Sequence, residues 1–257
     1  MGQLRPPCSV AAALLCFSLV TAACTGERVG GEKTAALHAI ITTTSAAPTT
    51  TPPTTTTTTT AVPTPAPTAP AARRRVLETG FRPFLTAGGD VTLNYPAQRV
   101  ERVGFHESNR LGARDLEVMS DAGAWLDMPT RDRNTPGRTA ADIVSEPDRE
   151  VRVPVTGTVK RAGTYTLYCK YTDSYAVIEP DGHPGWEVKV LHITGLVVLT
   201  GQHVEAGVTP LAAHPTRLPF KSQVEDYGAA PLWPHVHIEV VDPTIKNPPG
   251  VGGNGCN

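Results

Sequence analysis

The stretch Trp233–Val240, WPHVHIEV, sets two histidines one residue apart inside a short apolar run, directly after a proline. Pro234 suits the start of a strand, where its missing N–H costs no ladder bond. Val236, Ile238 and Val240 then recur with period 2, as they do in a half-buried strand. Residues i and i+2 of a strand share one face, roughly 6.5–7 Å apart along the chain. His235 and His237 therefore look the same way. Two imidazoles on one face can meet a single metal ion, or one can ligate while the other handles protons. Taken alone, the pair is equally two partly exposed strand histidines, so its neighbours must decide.

Those neighbours are mostly β-runs of the same kind. Strands are expected at 100–105, 150–159, 165–171, 174–179, 186–193, 196–199 and 235–241, separated by Gly, Pro and Asp. Alternation is clearest in VRVPVTGTV and WEVKVLHI. No long 3.6-residue period occurs, and the best short helical candidate is GARDLEV at 112–118. The fold class expected is all-β, a single domain with an antiparallel sheet core and a loop-rich entry over 107–140. With the N-terminal 75 residues and the C-terminal tail set aside, about 170 residues are left, enough for a domain with a sizeable core. A formal net charge of -1 and few aromatics give no electrostatic or stacking case for nucleic acid as a partner.

The N-terminus reads as an address. Arg5 precedes the apolar run Val10–Val20, which is short for a bilayer span but the right length for a signal h-region. The run ends in TAAC, Thr21–Cys24, which resembles a bacterial lipobox, although Thr21 stands where Leu is usual. Residues 1–23 are thus expected to be a lipoprotein signal peptide. Cys24 would be the lipidation site, anchoring an extracytoplasmic protein to the membrane. Residues 24–75 are expected to be a disordered tether, whose charge-free Thr/Pro/Ala tract over about 42–72 cannot bury enough apolar surface to offset ordering entropy. In polyproline II at ~3.1 Å per residue that tract would reach roughly 95 Å. Residues 76–137 read as an N-terminal extension of strands and loops, 138–246 as the β domain, and 247–257 as a flexible tail. Cys169 and Cys256 would be the free thiols of the mature protein in an oxidising compartment, which makes them candidates for a disulfide.

Four segments together resemble one family. PHVHIEV is similar to the PHLHFEV signature of the LytM-type peptidoglycan endopeptidases, and Val153–Val159, VPVTGTV, looks like an inner strand of that fold. Leu191–Gly207 resembles the family stretch in which a histidine precedes a hairpin ending in Gly-Gln. Thr139–Val144, TAADIV, resembles the segment that supplies an aspartate ligand. The resemblance covers about 138–242. It implies that Asp142 and His237 are zinc ligands and that His192 and His235 are the two active-site histidines that do not ligate. Catalytic zinc of this type needs three protein ligands and one open position.

The chain departs from the family at the remaining ligand. The family's HxGxD pattern puts a histidine four residues before the aspartate, and here that residue is Arg138. A guanidinium stays protonated and has no lone pair for a metal. The expectation is that Arg138 pairs with Asp142 and fills the slot, leaving zinc absent or weakly bound. The implied function is then non-catalytic: a domain that binds peptidoglycan or regulates a cell-wall hydrolase. The alternative is an active zinc endopeptidase with a substitute ligand, for which His106 in GFHES is the candidate; Asp115 and Asp132 are weaker ones. VPVTGTV also resembles part of a lipoyl-type carrier, but no lysine stands at a hairpin tip.

Overall fold

The computed structural model describes residues 74–119 and 123–249. The expected signal peptide, Cys24, nearly all of the tether, and Cys256 lie outside the described residues. The strands in chain order are β1 (Leu77–Glu78), β2 (Pro83–Ala87), β3 (Val91–Asn94), β4 (Arg99–His106), β5 (Leu116–Val118), β6 (Trp125–Asp127) and β7 (Ala140–Ser145). They continue as β8 (Val151–Arg152), β9 (Gly157–Leu167), β10 (Tyr171–Pro180), β11 (Glu187–Leu196), β12 (His203–Val204), β13 (Pro210–Pro215) and β14 (His235–Val241). A 3-10 turn, η1 (Gln223–Tyr227), precedes β14.

Eleven strands form one sheet whose main path runs β1-β4-β7-β14-β11-β10-β9-β12, with β13 bridging β11 and β8 and β6 flanking β4. All its pairs are antiparallel except β4–β6. A second, three-stranded sheet runs β3-β2-β5. The domain is all-β, as expected. Within residues 76–137, β4 pairs with β7 and so joins the same sheet as the later strands. The segment 112–118 is not helical: it holds a lone bridge at Ala113 and then β5. The run 196–199 leaves the sheet after Leu196, and 165–171 is the turn end of the β9–β10 hairpin.

Period 2 decides which side of the sheet becomes core. On β14, Val236, Ile238 and Val240 are fully buried among Ile143, Val188 and Val190, while His235, His237 and Glu239 take the other face. On β7, Ala141 and Ile143 join the core, and Asp142 faces with the histidines. On β4, Val103 and Phe105 point inward, so Gly104 and His106 share the histidine face. Gly104 is needed there, since a Cβ would stand 2.8 Å from Val224 Cγ2 and 3.1 Å from Met128 Sδ.

A closer approach occurs at Gly157, where a Cβ would lie 2.0 Å from the Glu179 carbonyl oxygen on the paired strand. Backbone cannot yield as a flexible side chain can. Gly157→Ala is therefore expected to destabilise the domain by at least the ~1–3 kcal/mol typical of overpacking, read as a lowered denaturant midpoint at unchanged m-value.

Candidate metal centre

Register brings the site together. Asp142 on β7 lies opposite His237 on β14 and opposite Gly104 on β4, two pairs along from His106↔Ala140 and so on the same face. The Asp142 Oδ1 atom is 2.9 Å from His237 Nδ1, 3.2 Å from His106 Nε2 and 3.8 Å from His235 Nε2. One donor atom from each of His106, Asp142 and His237 falls within 4.8 Å of the others. His106 and Asp142 are buried, and His237 opens onto a groove of about 940 Å³.

The expected occupation of this slot by Arg138 is not observed. Arg138 lies in the turn before β7, where the strand alternation that would aim it at the site no longer applies. Its guanidinium forks onto Asp127, with Nε–Oδ1 2.6 Å and Nη2–Oδ2 2.8 Å, and lies over the Trp125 ring at 4.4 Å. The third donor comes from β4 instead, as His106. Asp115 lines a separate depression around Arg138, and Asp132 sits in an exposed turn. Because the Arg138–Asp127 pair is solvent-accessible, Arg138→Ala is expected to cost no more than ~1 kcal/mol of stability. Metal content, measured by elemental analysis, should not change.

The donor set suits a divalent cation. His106 Nδ1–H donates to the Glu107 carbonyl at 2.8 Å, which fixes the tautomer and leaves the Nε2 lone pair facing Asp142. Two acceptors at that distance need a proton or a cation between them. Burial opposes the Asp142 charge, but the adjoining His106 and His235 and hydrogen bonds from the histidines hold its pKa well below the usual value. Burial pushes His235 down to about 3, leaving it neutral near pH 7. A buried carboxylate beside His235 and His237, whose charged forms burial disfavours, is a place where a cation is welcome. Two nitrogens and one oxygen are also the set that catalytic zinc favours.

Outer contacts hold the ligands. The Glu107 carboxylate accepts from Thr130 Oγ1 and from the backbone N–H groups of Arg131, at 2.8 Å, and Arg133, at 3.1 Å, wrapping the 130–133 turn against the site. Ser108 Oγ donates to Glu239 at 2.5 Å, tying the end of β4 to β14. Ser222, just before η1, stands 3.4 Å from His235 Nδ1.

His192 reaches the site by a β-bulge. Leu191 pairs with Tyr175 and Ile193 with Ser174, so His192 is the extra residue, with φ at 61°. Bulges re-aim side chains in this way, and the left-handed conformation is strained for a histidine. Asp173 on β10 holds it by accepting from His192 Nδ1 at 2.7 Å and from the His192 backbone N–H at 3.2 Å. Tyr165 and Thr216 hydroxyls also donate to Asp173, at 2.7 and 2.9 Å. The His192 ring stands 5.0 Å from His235 and 6.0 Å from His237. Burial works against the Asp173 charge, yet the bond and charge of His192 and the two hydroxyls depress its pKa.

Of the residues singled out in the sequence, His106, Asp142, His235, His237 and His192 converge, and Arg138 does not. Asp173, Tyr165, Thr216 and Ser222 were not anticipated. One signal was available: an aspartate inside TDSYAV is unfavourable in a strand unless it has polar partners. Cys169 is disulfide-bonded at the tip of the β9–β10 hairpin; Cys256, the partner expected for it, lies outside the described residues. No protein-family model matches the chain, and no curated protein matches it.

Proposed function

We propose that this protein is a metal-dependent hydrolase, with zinc the ion its donors suit, that cuts peptide bonds in cell-wall cross-link peptides outside the cytoplasm. The observation that carries the reading is the convergence of His106, Asp142 and His237 at the floor of an open groove, with Arg138 turned away. It favours the active alternative over a domain that only binds peptidoglycan or regulates a wall hydrolase. The lipobox-like TAAC and the Thr/Pro tether fit an anchored envelope protein working at a distance from its membrane.

When bound, the cation would supply Lewis acidity toward water and the scissile carbonyl. The chain's own residues do the rest. Asp173 accepts from His192 Nδ1–H, so the other ring nitrogen of His192 can take or give a proton on the groove side. Neutral His235 can donate or accept one hydrogen bond toward the same space, which orients a water or a developing oxyanion. The groove walls hold an extended peptide across both histidines.

Release of peptides from purified peptidoglycan by the zinc-loaded full chain tests this. Activity should vanish on chelation, return with added zinc, and be lost in His237→Ala. A zinc-loaded protein that binds wall material yet releases no peptide would instead establish the non-catalytic reading.

A further inference from the structure

The groove carries more positive charge than its walls neutralise. Seven cationic side chains line it against three carboxylates. Arg161 is forked onto Glu187, Lys189 bonds Glu239, and Lys221 bonds Asp226. Arg131 and Arg133 differ. Both are half-buried, and both project from the turn that Glu107 anchors beside the metal centre. Arg131 Nε donates to the neutral amide oxygen of Gln223 at 2.5 Å, and Arg133 Nη1 donates to the Glu107 carbonyl at 3.0 Å. Neither guanidinium is hydrogen-bonded to a carboxylate among the described residues. The nearby Glu107 carboxylate is instead occupied by Thr130 and by backbone N–H groups.

We infer that Arg131 and Arg133 form an anion subsite that binds a carboxylate of the peptide lying in the groove. Half-buried, adjacent like charges whose guanidiniums hydrogen-bond only to neutral groups, with Glu107 near both and Asp142 acting on Arg131 without a hydrogen bond, keep edges open to a ligand, and a guanidinium edge is shaped to take a carboxylate through two parallel bonds. Gln223 fixes the Arg131 fork by its Nε, which leaves the outer nitrogens for the ligand; Gln223 is itself held, donating to the Pro129 carbonyl at 2.9 Å. Burial presses against the Arg131 charge, as does Arg133, while Asp142 eases it. A cation in the triad would take up that Asp142 charge and sharpen the need for an anion. The subsite deepens the hydrolase reading and rests on it for naming a peptide as the bearer of the carboxylate.

The carboxylate can be a chain terminus or a side chain, and the test separates them. The chelator-treated full chain is titrated by NMR with acetyl-Ala-Ala and its C-terminal amide, then with acetyl-Ala-Glu-Ala-amide and its Gln counterpart. At least one acid should bind about tenfold more tightly than its amide, with an affinity that falls as salt rises. A preference in the first pair assigns a terminal carboxylate, and in the second a side chain. Arg131→Gln and Arg133→Gln should erase the preference, and Arg131→Lys should restore part of it. Equal affinities within both pairs would overturn the subsite, a result that needs no variant to be folded. So would a preference that survives the double substitution. Absence of peptide cutting alongside an intact preference would sink the hydrolase reading and leave the subsite standing.

Discussion

His106→Ala is expected to lower metal affinity by more than ~100-fold, because even outer-shell partners of a metal typically cost 10–100-fold and this residue is a direct donor. Peptide release should fall with it. The remaining Asp142 and His237 cannot close a three-donor site, and the Asp142 carboxylate would be left buried with one close imidazole fewer. The control is Arg138→Ala, which touches the residue that stands at the family's ligand position. Equilibrium dialysis against zinc, run on both variants, separates the two assignments: loss in the Arg138 variant with retention in the His106 variant would reverse the account.

Asp173→Asn is the second substitution with a large expected effect. Peptide release should drop by ~10²–10⁴, the usual contribution of general acid–base catalysis, while metal content stays at the level of the unsubstituted protein. Asp173 holds His192 through both its ring and its backbone N–H and so fixes a strained bulge residue toward the groove. The amide removes the carboxylate that accepts from the His192 ring and offers N–H groups where Tyr165, Thr216 and His192 all require an acceptor. Unchanged turnover in a folded Asp173→Asn protein would reduce the dyad to a structural clasp. His192→Ala provides the check, since it removes the proton carrier and keeps the Asp173 carboxylate.

The fold was legible wherever the alternation was clean. WPHVHIEV is a strand with its histidines on one face and its aliphatics in the core, as period 2 requires. TAADIV supplies the neighbouring strand, and Asp142 meets His237 in register. What could not be read was pairing across long sequence separations. His106 lies 36 residues before Asp142, and nothing local in GFHES indicates that β4 pairs with β7. Position relative to a motif misled at Arg138, because spacing places a side chain only while the strand geometry continues, and the turn before Ala140 ends it. His192 was chosen by resemblance, and the bulge that aims it depends on a register shift that alternation does not encode. Asp173 was passed over because its partners come from three other segments, at Tyr165, His192 and Thr216.

Zinc-edge X-ray absorption of the loaded full chain tests the convergence of His106, Asp142 and His237 most directly. A four-coordinate shell of nitrogen and oxygen near ~2.0–2.1 Å is expected, with imidazole scattering from two histidines that falls to one in His106→Ala. A sulfur shell near ~2.3 Å, or imidazole scattering unaltered by that substitution, would contradict it.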